Sequence, residues 1–533
     1  MKKQTFLKGS LILMISAVAA KALGAFFRIP LTNMLGGVGM SYFSCAYSLF
    51  MPVYALVVTG ISSSVARMTA SRVALGLYGS VRRIRSTALL VFTAAGIPAS
   101  ALLVAFAGVF SRYSVGTTDA APAAAMIAPT VVFGCITAVE RGYYEGLSNM
   151  YPTALSQVAE SIVRVAAGLW LCSYVTSHAE SVLPYFPGIS DIRAIAAAAG
   201  ILGVTLSSVG AALFLGLIRL FSKPLPESDE RPESRRAIAG ELVRCALPIG
   251  AGALVTNLTA LIDMWTVIGC LSHTGAYEGV LPGVAAGEGA QFVYGSFSGI
   301  ALTVFNLVPS VTNMLGKGAL TNTAAAHGTG SREQLCRSSV QAILAAEVIA
   351  LPAAAGLGLF APEVLGLLFP RQPDEVRVCV GALRLLMPGM VFLCVSYPVF
   401  SMLQGVGRAG APLKIMLIGT LLKLAGNLAL IPLMGVDGAA ASTSLCYAFI
   451  LAAALRIYLR ETGISPGVLP FLKVGYAGAV CGAAAMLASG AAAQLGTMAE
   501  LFIAGAAGGT AYFVVLHFTL DKKQDRGGFR DPV

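Results

Sequence analysis

Apolar stretches recur along the whole chain, separated by short polar or charged connections. Fourteen can be counted, at 6–30, 40–63, 86–110, 121–140, 152–176, 193–219, 243–270, 289–315, 338–361, 378–402, 413–434, 438–459, 473–494 and 498–519. Most approach the ~20 residues an α-helix needs to cross a hydrocarbon core of about 30 Å. A segment in lipid must satisfy its own backbone hydrogen bonds, so the pattern predicts an all-α, polytopic membrane protein. The start, MKKQTFLKGSLILMISAVAAKALG, has the basic-then-apolar order of a secretory leader. The apolar run continues past Lys21 to Ile29, and an uncleaved first helix is expected.

Charge gives the pattern a direction. One set of alternate connections carries nearly all the cations, among them Arg82, Arg83 and Arg85, then Arg231, Arg235 and Arg236, then Arg456 and Arg460. The opposite set carries only Arg112, Arg193, Arg371 and Arg377. The positive-inside rule then places both termini in the cytoplasm, as an even number of spans requires. The longest polar connection, 220–242, contains prolines and charges of both signs and reads as a cytoplasmic linker. It separates an N-terminal lobe, 1–219, from a C-terminal lobe, 243–459, and residues 460–533 add two spans and a tail.

The two lobes echo one another. Residues 140–171, ERGYYEGLSNMYPTALSQVAESIVRVAAGLWL, resemble 403–433, LQGVGRAGAPLKIMLIGTLLKLAGNLALIPL. Aligning Gly146 with Gly405 sets an offset of 259 residues and lays Arg164 on Lys423, each on an apolar helix beyond a loop-ending proline. A weaker echo relates 47–68 to the eighth span and sets Arg67 opposite Asn313. Both members of each pair run the same way, so the repeat is a parallel one of six helices.

Charges inside spans are costly and mark candidate chemistry. Lys21 and Arg28 lie seven residues apart on the first span, hence on one helix face. Arg28 is near enough to the outer end to snorkel, and Lys21 is expected to lie deep, with an internal ion pair as the alternative. Glu160 and Arg164 stand in the favourable order for an intrahelical pair. They form either a self-neutralised structural pair or an anion-binding arginine with a restraining or proton-taking carboxylate. Lys423 has no acid on its own helix and shares a polar face with Asn427. Asp263, toward the outer end of the seventh span, is a candidate proton or Na⁺ site or a partner for a cation. Glu347 and Arg384 are weaker candidates. Glu140 and Arg141 read as a loop ion pair at the membrane edge. Deep cations outnumber deep acids on these spans, which predicts a cationic cavity suited to a phosphate or diphosphate group.

Composition narrows the classes. The chain is 56% hydrophobic and 11% charged, with mean hydropathy +0.79, against about a quarter charged in soluble domains. The net charge of +11 is accounted for by topology rather than nucleic acid. Ten cysteines stand singly and are expected to be small buried hydrophobes, not metal ligands. No hydrolase, zinc or nucleotide-binding motif is present, and the histidines are isolated. Energy would therefore come from H⁺, Na⁺ or the membrane potential, with no cofactor. Two rivals remain: an ion-coupled exporter of organic cations, and a membrane glycosyltransferase using Asp263 as its outer-face carboxylate.

RGYYEGLSNMYPTALSQVAESIVRV, KGSLILMISAVAAKALGAFFRIPL, YGSFSGIALTVFNLVPSV and LQGVGRAGAPLKIMLIGTLLKLAGN closely resemble stretches of the stage V sporulation protein B branch of bacterial polysaccharide transporters. The resemblance implies a MATE-like two-lobed bundle, and movement of an undecaprenyl-diphosphate-linked oligosaccharide, most simply a peptidoglycan precursor, to the outer leaflet. It also implies a bacterial cell membrane location, with cell-wall synthesis proteins as possible partners. Lys21 and Arg28 match first-span basic residues that contact the diphosphate in relatives. Arg164 and Lys423 match basic positions of the branch. The loop 271–287 departs from the branch's form, and the resemblance leaves open vegetative wall growth or sporulation.

Overall fold

The computed structural model describes residues 6–520 apart from 187–188, 190, 223–225, 227–231, 276, 278–283, 286, 329, 409, 493 and 495. These residues form helices and no strands. Twelve helices are long and apolar enough to cross a membrane, or thirteen if one bent pair counts as a span, against the fourteen expected. One span of the difference is the bent pair, and the other lies at the start, where 12–74 counts as one stretch of 63 residues. At 1.5 Å per residue it would measure roughly 95 Å, about three times a bilayer core, so it cannot be a single crossing. It breaks at Gly36, whose φ of 66° and ψ of −175° only glycine adopts at low cost.

Contacts divide the chain into two compact units, Met1–Gly299 and Ile300–Val533, whereas the repeat divides it at the linker. The first unit holds α1 (Phe6–Val58), α2 (Ile61–Ala74), α3 (Tyr78–Val115), α4 (Ala121–Ile127), α5 (Pro129–Gly146), α6 (Tyr151–Ser177), the short α7 (Ala179–Val182), α8 (Ile192–Leu220), α9 (Arg235–Thr274) and α10 (Gly289–Ser296). Part of the expected linker is thus helix, because Ser234 caps α9 by accepting from the Ala237 amide. Asp191 caps α8 in the same way, and prolines open α4, α5 and α6, where a missing N–H costs nothing. A π-turn, Phe297–Ala301, follows α10.

The second unit holds α11 (Leu302–Phe305), α12 (Leu307–Gly328), α13 (Arg332–Leu359), α14 (Ala361–Leu368), α15 (Pro373–Gly405), α16 (Ala411–Met434), α17 (Val436–Thr462), α18 (Leu469–Ala492) and α19 (Thr497–Leu520). The helix pair around Asn306 bends by 46°. Pro309 explains the bend: it cannot donate to the Phe305 carbonyl four residues back, and its ring crowds that turn. Large apolar side chains such as Leu487, Phe502, Phe513 and Phe518 face outward on the last two helices, as lipid contact requires. Eight of the ten cysteines are buried, while Cys245 and Cys270 are half-buried.

The repeat is legible in packing. In the first unit, Gly146 at the end of α5 lies against Thr69 and Ala66 of α2. In the second, Gly405 at the end of α15 lies against Thr323 and Leu320 of α12. One turn earlier, Gly142 meets Ser62, and Ser401 meets Gly316. The α5 and α15 partners keep the 259-residue offset, but the α2 and α12 partners differ by 254. This register sets Arg67 opposite position 321, correcting the sequence alignment that set it opposite Asn313.

Candidate functional site

In the first unit, glycines bring α1, α6 and α8 close enough to make a site. Gly203 of α8 rests on the backbone of Gly168 in α6, and the Phe27 ring of α1 covers Gly168. None of these contacts leaves room for a Cβ. Arg164 lies one turn before Gly168, and Arg28 follows Phe27, so this crossing carries both cations to one region.

Arg164 Nη2 donates to Glu160 Oε1 at 2.9 Å, the pair expected from their spacing. The other carboxylate oxygen is also taken: Arg141 Nη2 of α5 donates to Glu160 Oε2 at 2.8 Å. Arg141 Nε donates to Ser156 Oγ at 2.9 Å, which anchors it to the first turns of α6. The expected Glu140–Arg141 pair is therefore corrected. Helix α5 runs on to Gly146, so consecutive residues point about 100° apart. Glu140 turns to Arg85 of α3, whose Nε donates to Glu140 Oε2 at 2.9 Å in a nearly buried pair, and Arg141 turns to Glu160. Arg141 was missed because the sequence ERGYYEG looks like a loop. Its only signal was its position inside the repeated stretch.

Aromatic side chains of α1 face this cluster. Phe43, Tyr47, Phe50 and Tyr54 form a chain of ring contacts: Phe43 stacks on Tyr47 at 4.9 Å, Tyr47 meets Phe50 edge-on and Phe50 meets Tyr54 at a tilt. The Tyr47 hydroxyl lies in the field of both Arg164 and Arg28, and that of Tyr54 in the field of Glu160, Arg141 and Arg164. Arg28 Nη2 also donates to the Ser298 carbonyl at 3.1 Å, and Thr32 Oγ1 to the Gly299 carbonyl at 3.3 Å. Both acceptors belong to the π-turn, where a widened turn disturbs the regular i to i−4 ladder. Arg28 is half-buried and bonded inside the protein. Asp263 of α9 is buried and acts on the Tyr294 hydroxyl, which Arg28 also feels and which hydrogen-bonds Ser48. The structure thus gathers Arg28, Glu160, Arg164 and Asp263 into one electrostatic neighbourhood through Tyr47 and Tyr294. Lys21 lies on α1 with an exposed side chain.

The second unit places Lys423 and Asn427 differently. Both are on the face of α16 that meets α17, where Ser442 Oγ donates to the Lys423 carbonyl at 3.1 Å. The Lys423 residue is 4% exposed and Asn427 fully buried, whereas the Arg164 side chain is 29% exposed. The two repeat-related cations thus sit in unequal surroundings. Arg384 Nε donates to the Gly358 carbonyl, and Glu347 of α13 lies near Tyr512 of α19. The loop 271–287 lies partly outside the described residues.

A multi-pass helical bundle with repeated helix pairs and cations inside its spans is an arrangement that membrane transporters use. Comparison with solved structures gives the fold. A lipid II flippase MurJ in an inward closed conformation superposes with a TM-score of 0.68 at 12% identity, covering 95% of this chain and 98% of that one. An inward-facing MATE-family multidrug transporter gives 0.64 at 16% identity, covering 85% and 96%. The chain belongs to the polysaccharide biosynthesis protein family, whose model matches residues 6–321, and the MatE model matches 296–429. Among relatives, stage V sporulation protein B of Bacillus subtilis (strain 168) is 25% identical over 83% of this chain and 81% of its own length. Lipid II flippase MurJ of the same organism is 22% identical over 87% and 84%.

Proposed function

We propose that this protein moves an undecaprenyl-diphosphate-linked oligosaccharide, a peptidoglycan precursor of the lipid II class, from the inner to the outer leaflet of the bacterial cell membrane by alternating access. Its termini lie in the cytoplasm. The observation that carries the reading is the excess of cations on the inward faces of α1, α5 and α6, where two guanidinium groups share the one carboxylate of Glu160. Such a surface suits a diphosphate, whose ionised oxygens accept strong charge-assisted bonds. Arg28 and Arg164 bind the diphosphate, Lys21 recruits it, and Lys423 supplies the second lobe's charge. The polyprenyl tail stays in lipid. Glu160, Asp263 and Asn427 serve coupling or gating, driven by H⁺, Na⁺ or the membrane potential, which supplies about 2.3 kcal/mol per charge per 100 mV.

The test is translocation of a fluorescent lipid-linked disaccharide diphosphate in proteoliposomes, comparing wild type with Arg164→Ala and Lys423→Ala. Transport by wild type that fails in both variants supports the reading. Full transport by both refutes the site. The buried Asp263 favours a second reading, export of organic cations. Uptake of a cationic dye, competed by Na⁺ or protons and lost in Asp263→Asn, would establish it.

A further inference from the structure

We infer that Glu160 is a built-in counter-anion occupying the place of a substrate phosphate oxygen on Arg164, and that Arg141 is a further anion-binding residue that holds Glu160 when the substrate displaces it. The inference rests on the diphosphate reading above and deepens it.

A purely structural pair would need one arginine. Here Glu160 is divided, with Oε1 on Arg164 and Oε2 on Arg141, so the cluster keeps one net positive charge after internal pairing. Facing elements leave that charge in place, since Arg28 of α1 and Asp263 of α9, which both act on the Tyr294 hydroxyl, carry opposite charges. Helix α1 presents Tyr47 and Tyr54 as neutral phenols, and its Ser16 hydroxyl meets Gln157 at 3.3 Å. Helix α8 carries no ionisable side chain between Arg193 and Arg219. From α5, Glu140 is engaged by Arg85. An uncompensated cation in a bundle of low polarity is an electrostatic cost, and an anion arriving from outside the fold relieves it.

The two arginines are held unequally. Arg141 is fixed through Nε to Ser156, whose oxygen is buried and itself donates to the Thr153 carbonyl. Arg164 Nε is enclosed and has no hydrogen-bond partner. Glu160 is the one hydrogen-bond partner of the Arg164 side chain among the described residues, and that side chain is 29% exposed, so the Nη edge of its planar fork can still reach phosphate oxygens. Displacement is then a ligand exchange in which the phosphate takes Arg164, Glu160 stays on Arg141, and the carboxylate returns when the substrate leaves. Glu160 tunes affinity downward so that release remains possible, since a carrier must bind weakly enough to let go.

The experiment measures binding of farnesyl diphosphate to the full-length protein in detergent, alongside lipid translocation. Glu160→Gln keeps the shape but removes the competing charge. It should bind on the order of tenfold more tightly and translocate more slowly. Arg141→Gln should weaken binding by about the same factor, and Arg141→Lys should recover part of it, because lysine restores charge without the fork. The melting temperature of each purified variant, expected close to that of wild type, guards against misreading a folding defect as a change in binding. Wild type that binds, with unchanged affinity in Glu160→Gln and Arg141→Gln, overturns the inference and leaves the proposed function standing. Wild type that does not bind the diphosphate overturns both.

Discussion

The glycine contacts make a graded prediction that compares the two units. A Cβ added at Gly146 would stand 2.5 Å from Thr69 Cβ and 2.8 Å from the Ala66 carbonyl oxygen. Ordinary contact begins at 3.4 Å, so α5 and α2 must part by about 0.9 Å, and a backbone carbonyl cannot swing aside as a flexible side chain can. At the equivalent Gly405 the nearest atom is the Leu320 carbonyl oxygen at 3.0 Å, which asks for about 0.4 Å. Overpacking of this kind costs about 1–3 kcal/mol, while glycine to alanine at a helix end returns less than the roughly 0.5–1 kcal/mol of a helix interior. Gly146→Ala should therefore lose about 1–2 kcal/mol net, and Gly405→Ala should stay within roughly 0.5 kcal/mol of wild type. The site feels the difference too. Arg141 lies just over one turn before Gly146, and a shift of that size would carry its 2.8 Å bond to Glu160 beyond hydrogen-bond reach. Thermal unfolding of the purified protein, followed by fluorescence of Trp170 and Trp265, reads stability, and proteoliposome translocation reads the site. Gly216→Ala, with nothing within 4 Å, serves as the control for helix propensity. Equal melting of the Gly146 and Gly405 variants, or the reverse order, would refute the reasoning.

Three further outcomes follow from the same structure. Glu140→Gln strands the Arg85 guanidinium in a nearly buried site and should cost about 3–5 kcal/mol, seen as a lowered melting temperature; the double replacement of Arg85 and Glu140 by methionine should lose less. Arg193 reaches Glu288 at 2.8 Å but is 37% exposed, so Glu288→Gln should change stability by less than about 1 kcal/mol, and a larger loss would show the pair to be better shielded than its exposure indicates. Tyr512 donates to the Val348 carbonyl at 3.1 Å, tying α19 to α13, and Tyr512→Phe should cost about 1–2 kcal/mol, checked by unfolding in detergent.

Much of the molecule was legible in its sequence. The length and spacing of the apolar stretches required helices, because lipid offers no hydrogen bonds to an open backbone. The repeat was visible too, since Gly146 and Gly405 mark the places where α5 meets α2 and α15 meets α12. The Glu160–Arg164 pair could be read from its spacing, which the helix period turns directly into proximity. Contacts between helices carry no such period. Whether Arg141 turned to its neighbour Glu140 or across to Glu160 depended on how far α5 continued past residue 140, and on Ser156 standing opposite. The unequal burial of Arg164 and Lys423 was also beyond reach, because aligned residues share a helix position but not the neighbours that close over it. Sequence by itself determined which segments are helical, how they repeat and which charges lie within them. Tertiary structure alone decided which charges meet, because crossings between distant helices are set by glycine contacts and side-chain fit.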